Sequence, residues 1–216
     1  MKFFIDTANL DQIRDAQNLG VLDGVTTNPS LMAKEGITGR DNILKHYLAI
    51  CNIVDGDVSA EVIATDYDGM VKEGEELAGL HDQIVVKLPM IKEGVKAAKY
   101  FSDKGIKTNL TLVFSAGQAL LAAKAGATYV SPFIGRLDDV STDGLNLIAE
   151  IRQIYNNYGF STQILAASVR HTMHVIDCAK IGADVMTGPL SSIEGLLNHP
   201  LTDIGLAKFL ADYKKG

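Results

Sequence analysis

The chain has 216 residues, is 47% hydrophobic and carries a formal net charge of −6. That length is ample for a large core and allows one or two domains. The mildly acidic balance, with acids spread along the chain, argues against nucleic acid or an anionic membrane as the main partner. No apolar run approaches the roughly 18 residues that span a bilayer. "MKFFIDTANL" turns polar too early for a signal peptide. Cys51 and Cys178 stand far apart without metal-ligand spacing, which reads as two buried thiols in a reducing cytoplasm.

Short apolar runs alternate with longer segments of helical period. "KFFIDT" predicts a strand, "NLDQIRDAQNLG" a helix and "GVTTN" a second strand. The helix "DNILKHYLAICNIV" then leads to strand "VSAEVI", and "YDGMVKEGEELAGL" to strand "IVVKLP". "KEGVKAAKYFSDKG" precedes strand "KTNLTLV", and "AGQALLAAKAGA" precedes "YVSPFI". Finally "LNLIAEIRQIYNNYG", "TQILAAS", "HTMHVIDCAKIGAD" and "DVMTG" repeat the helix–strand order. Several helices end in glycine, a common C-cap.

Strands rich in Val and Ile, in strict alternation with helices, predict a parallel sheet covered by helices. A doubly wound open sheet also uses this order, but usually with fewer strands. Eight such units in 216 residues fit a compact (β/α)8 barrel. With no Pro/Gly/Ser-rich linker, residues 1–216 are expected to form a single barrel domain with a helical arm at about 200–216. In that arm Leu206, Phe209, Leu210 and Tyr213 form an amphipathic stripe. The stripe packs either on its own barrel or on another subunit.

In such barrels functional groups come from the C-terminal ends of the strands. Here these ends carry Asp6, Thr26 and Asn28, Glu61, Lys87, Asn109 and Thr111, Ser131 and Phe133, and Ser168, with Arg136 and Arg170 just beyond. Side chains alternate faces with period two, so the pairs 26/28, 109/111 and 131/133 each share a face, while Leu110, Leu112 and Pro132 are expected on the other. Polar groups directed inward from most strands are costly unless they serve a site.

Lys87 lies inside an apolar strand, between Val86 and Leu88. It is either a structural lysine paired with Asp6 or Glu61, or an amine made nucleophilic by desolvation. A neutral amine adds to a carbonyl to form a Schiff base, whose iminium is an electron sink for breaking an adjacent carbon–carbon bond. Such cofactor-free chemistry needs a nearby carboxylate, and Asp6 and Glu61 are available. Arg136 and Arg170 after adjacent strands, with the Ser168 hydroxyl, suit phosphate oxygens. His171 and His174 stand three apart, but no acidic cluster accompanies them and no metal is expected.

Together "FIDTAN", "GVTTNPSL", "SAEV", "IVVKLP", "NLTLVFS", "VSPFIGR" and "AASVR" resemble the transaldolase family, in the small subfamily shared with fructose-6-phosphate aldolase. The resemblance covers essentially the whole chain and implies a (β/α)8 barrel and no cofactor. It implies that Lys87 is the Schiff-base lysine, Asp6 the acid–base group of carbon–carbon cleavage, and Glu61 with Thr111 the holders of an assisting water. It implies that Asn28 and Asn109 bind dihydroxyacetone hydroxyls, that Thr26 and Ser131 line the site, and that Arg136, Ser168 and Arg170 bind phosphate. The implied reaction moves a dihydroxyacetone unit between ketose and aldose phosphates in the pentose phosphate pathway.

The aldolase type carries glutamine where Glu61 stands and tyrosine where Phe133 stands. The chain therefore follows the transaldolase pattern, with fructose-6-phosphate aldolase as the alternative and an inert sugar-phosphate-binding barrel as an outside one. The resemblance also implies a cytoplasmic homo-oligomer, a decamer of two pentameric rings joined through the carboxy-terminal helix.

Overall fold

The structure, a computed structural model, describes residues 1–215. Eight parallel strands close into a barrel in chain order. They are β1 (Lys2–Asp6), β2 (Gly24–Thr26), β3 (Asp57–Glu61), β4 (Ile84–Pro89), β5 (Thr108–Val113), β6 (Tyr129–Pro132), β7 (Gln163–Ala166) and β8 (Val185–Gly188). The helical layer comprises α1 (Leu10–Asn18), α2 (Pro29–Lys34), α3 (Arg40–Cys51), α4 (Tyr67–Ala78), α5 (Lys92–Asp103) and α6 (Ala116–Lys124). It continues with α7 (Ile134–Asp138), α8 (Gly144–Tyr158), α9 (Thr172–Ile181), α10 (Leu190–Glu194) and α11 (Pro200–Tyr213). The expected (β/α)8 barrel is therefore observed, and every predicted strand is present: β4 with its predicted bounds, β3 starting one residue earlier, and the others trimmed. The short helices α2, α7 and α10 are additional.

Two apolar layers hold the barrel. Outward residues such as Ile5, Val25, Val58, Val86, Leu88 and Leu110 pack under the helices. Inward, Phe4, Val85, Tyr129, Leu165 and Val185 fill the lower barrel. Each of these large side chains stabilises by about 1.5–3 kcal/mol when buried. The Phe4 ring needs the space that Gly24 leaves, since a Cβ there would come within 2.5 Å of it. Tyr129 donates to Asp57 at 2.6 Å and closes the barrel floor. Burial, together with that bond, pushes its phenol far above the ordinary value.

Two residues further along, the inward positions turn polar: Phe4 gives way to Asp6, Val85 to Lys87, Tyr129 to Ser131 and Val185 to Thr187. Period two thus carries one apolar layer and, above it, one polar layer.

Helix α11 does not pack on its own barrel. Leu206, Phe209, Leu210 and Tyr213 are 58%, 72%, 52% and 85% exposed, and the helix has no buried residue. Among the described residues no helix is long and apolar enough to cross a membrane.

Candidate active site

The polar layer surrounds two connected chambers at the C-terminal mouth. The inner one, about 140 Å3, is lined by Asp6, Thr26, Asn28, Lys87, Thr111, Ser131, Phe133, Arg136, Ala167, Ser168 and Thr187. The outer one, about 320 Å3, adds Glu61, Leu112 and the start of α2. Lys87 faces both, with Asp6 lining the inner chamber and Glu61 the outer. A concavity of about 290 Å3 on the outer side of the barrel carries Arg40, Glu61, Glu73 and Glu76 but no amine.

Lys87 is 5% exposed. Its Nζ donates to the Thr27 carbonyl at 3.0 Å and lies 3.0 Å from Glu61 Oε2. Glu61 and Lys87 are direct neighbours in the β3–β4 register, so the pair is set by strand alignment. The Glu61 backbone is itself anchored, its N–H donating to the Tyr47 hydroxyl at 3.2 Å. Burial keeps that hydroxyl protonated by pushing its pKa far up. Asp6 is in no ion pair among the described residues; its Oδ1 accepts from Thr26 Oγ1 at 2.7 Å. Thr111 Oγ1 is buried without a hydrogen-bond partner among the described residues.

Two expectations about alternation need correction. Asn28 is not on β2 but is the N-cap of α2, where its Oδ1 accepts the Leu31 N–H at 3.0 Å. Leu112 does not turn away from the site. The β5–β6 register shifts between Leu110 and Val113, and Leu112 takes a left-handed φ of 61°. The bulge brings Leu112 into the outer chamber beside Thr111. No glycine marks that position, so residue type carried no signal of it.

Asn109 lines neither chamber. It is fully buried beneath the chambers, accepting from Ser131 Oγ at 2.7 Å and donating to Ser59 Oγ at 3.1 Å. Thr26, Ser131 and Phe133 line the inner chamber.

The two arginines differ. Arg136 lines both chambers, 5.3 Å from the Phe133 ring centroid, with no carboxylate partner among the described residues. Arg170 lines neither chamber; its fork makes a bidentate pair with Asp139, at 2.7 and 2.5 Å. Asp139 holds that guanidinium charged, raising its pKa above the ordinary value. Ser168, at a left-handed φ of 59°, lines the inner chamber. Gly135 lets this loop approach, because a Cβ there would lie 2.3 Å from the Ser168 carbonyl.

His171 caps α9, while His174 Nε2 lies 3.1 Å from Asp138 and its Nδ1 accepts the Arg170 N–H at 3.4 Å. Burial and the neighbouring His171 push His174 below the ordinary imidazole value.

One polar residue of the inner chamber's lining is not among the strand-end candidates of the sequence. Thr187 sits 2.7 Å from Thr26 through their hydroxyls and lines the inner chamber. Its spacing of two from the inward Val185 was the available signal.

Over residues 3–215 the chain matches the family described as transaldolase/fructose-6-phosphate aldolase. A "probable transaldolase" of Flavobacterium psychrophilum is 83% identical over 216 residues, covering 100% of this chain and 99% of that one. Similar proteins of the same name from Cytophaga hutchinsonii and Phocaeicola vulgatus are 76% and 74% identical over 215 residues, each covering 100% of this chain and 99% of the relative. With a closed barrel and an amine between two carboxylate-bearing chambers, the chain belongs to the transaldolase/fructose-6-phosphate aldolase family and is an enzyme of the transaldolase type.

Proposed function

We propose that the protein is a Schiff-base transaldolase that moves a dihydroxyacetone unit between sugar phosphates. The observation that carries this reading is Lys87, a buried amine 3.0 Å from Glu61 in a mouth that also presents Asp6 and Arg136. A proton passed from the amine to Glu61 leaves a nucleophile that adds to the C2 ketone of fructose 6-phosphate or sedoheptulose 7-phosphate. Glu61 and the free Thr111 hydroxyl then handle the water lost on imine formation.

Asp6 takes the C4 hydroxyl proton, the C3–C4 electrons move into the iminium, and the phosphorylated aldehyde leaves as an enamine stays on Lys87. Glyceraldehyde 3-phosphate or erythrose 4-phosphate accepts that unit in the reverse sequence. The iminium is the electron sink, so the reaction requires neither a metal nor an organic cofactor.

Arg136 and Ser168 face the chambers and are the primary phosphate contacts of this reading. Arg170 joins them only when phosphate competes with Asp139 for its fork. Asn28 orients the dihydroxyacetone hydroxyls, and Asn109 acts through Ser131. Phe133 at the chamber wall has no proton to give the enamine, which favours transfer over release.

The reaction belongs to pentose phosphate metabolism in the cytoplasm. The apolar side chains of α11 suit docking on a second copy, within a decamer of two pentamers. Truncation after Asn198 should reduce the mass seen in sedimentation; an unchanged assembly would remove that role for the helix.

The function is tested by incubating the protein with fructose 6-phosphate, with and without erythrose 4-phosphate. Sedoheptulose 7-phosphate formed only with acceptor, with little free dihydroxyacetone, is expected. Free dihydroxyacetone without acceptor would instead mark the aldolase, and neither product would leave the inert barrel.

A further inference from the structure

The inner chamber holds a line of three side chains from three neighbouring strands. Asp6 ends β1, Thr26 ends β2 on one side of it, and Thr187 lies on β8 on the other. Thr26 and Thr187 are each 2% exposed. Thr26 Oγ1 is 2.7 Å from Asp6 Oδ1 and 2.7 Å from Thr187 Oγ1. Thr26 is the only hydrogen-bond donor to the Asp6 carboxylate among the described residues.

Proton counting fixes the direction of this line. Thr26 Oγ1 donates to Asp6 Oδ1, so its single hydroxyl proton is used there. The contact between the threonines must then be made by the Thr187 proton, donated to Thr26 Oγ1. The order is Thr187 to Thr26 to Asp6, each bond polarising the next. Thr26 is thereby committed to Asp6 Oδ1, and Oδ2 is left without a partner among the described residues.

We propose that Thr187 is a positioning residue of the reaction: by donating to Thr26 it locks the Asp6 carboxylate with Oδ1 held and Oδ2 free to exchange the substrate proton. This assignment rests on Asp6 being the acid–base group of the proposed function. In the cleavage step, Oδ2 accepts the C4 hydroxyl proton. The C4 oxygen electrons form the new carbonyl, and the C3–C4 pair becomes the enamine double bond. No proton leaves through the threonines; they hold the acceptor still. Without the Thr187 proton, Thr26 is free to rotate in its pocket and Asp6 loses its fixed orientation.

The consequence is specific to one step. Imine formation belongs to Lys87 and Glu61 in the other direction, so losing the Thr187 hydroxyl slows cleavage and leaves imine formation alone. Thr187→Val keeps the shape and removes the donor; Thr187→Ser keeps the donor and removes a methyl group. The measurement is steady-state turnover of fructose 6-phosphate with erythrose 4-phosphate, together with borohydride trapping and intact-mass analysis.

Thr187→Val should lower kcat about three- to tenfold, the range expected for one hydrogen bond, with KM within about twofold. Trapping should persist, shifted toward the uncleaved six-carbon adduct. Thr187→Ser should recover turnover to within about twofold of the parent protein. Unchanged kcat and adduct ratio in Thr187→Val would overturn the assignment. So would equal losses in both variants, which mark a packing role. If the parent protein traps no ketose at all, the Schiff-base reading itself fails, an outcome distinct from a parent that traps and a Thr187→Val variant that cleaves normally.

Discussion

Glu61 and Lys87 face each other from paired positions on adjacent strands, with Nζ 3.0 Å from Oε2. The side chains are 15% and 6% exposed, so water screens this pair far less than a surface one. Removing one partner leaves the other charge buried and alone. Glu61→Leu should therefore destabilise the protein by about 3 kcal/mol, read as a lower denaturant midpoint. The double variant Glu61→Leu/Lys87→Met should recover most of that loss. Additive effects in the cycle would mean that the two groups do not interact.

The arginines should separate in kinetics. Arg136 faces the chambers with no carboxylate partner among the described residues, whereas the Arg170 fork is occupied by Asp139. Arg136→Ala should raise KM for fructose 6-phosphate by about tenfold or more, the effect of losing a charge-assisted contact. Arg170→Ala should raise it less. Unchanged KM in both variants would end the phosphate assignment.

His174 should make stability fall in mild acid. Its pKa is lowered in the folded protein, chiefly by burial, so the unfolded chain binds the extra proton first. The stability contributed by neutral His174 is present above the ordinary imidazole value of about 6.5 and is lost as pH falls below it. The denaturant midpoint should drop as pH falls below about 6.5, and by less in His174→Asn. Parallel curves for the two proteins would assign the drop to other groups.

The thiols should be silent. Burial pushes Cys51 up to about 11 and Cys178 up to about 12, so neither is a thiolate near neutrality. A disulfide reagent at pH 8 should find no rapidly reacting thiol in the native protein and two after denaturation in guanidinium. Rapid native labelling of either would show that its helix opens.

Much of this site is legible in the sequence, because it depends on period two. In "KFFID" and "IVVKLP" the alternation alone puts Asp6 and Lys87 above Phe4 and Val85, inside the barrel. What stayed hidden depends on backbone irregularity or on distant partners. The register shift that turns Leu112 into the chamber lies in a leucine with positive φ, where a glycine would have given warning. The pairing of Arg170 with Asp139 joins residues 31 apart in sequence, through a loop conformation no local pattern encodes.

In the sequence Thr187 is one residue of the strand "DVMTG"; only the neighbouring positions of Thr26 and Asp6 give its hydroxyl a use. Helices α2, α7 and α10 are too short for a periodic signal, although Asn28 followed by Pro29 is a recognisable start for the first.

The central claim is that Lys87 carries the substrate carbon covalently. It is tested most directly by adding borohydride to the protein with fructose 6-phosphate and locating the adduct by peptide mass spectrometry. The account predicts a reduced sugar-derived adduct on Lys87, absent without substrate and absent from Lys87→Met. An adduct on another lysine, or none in a protein that still turns over the sugar, would contradict it.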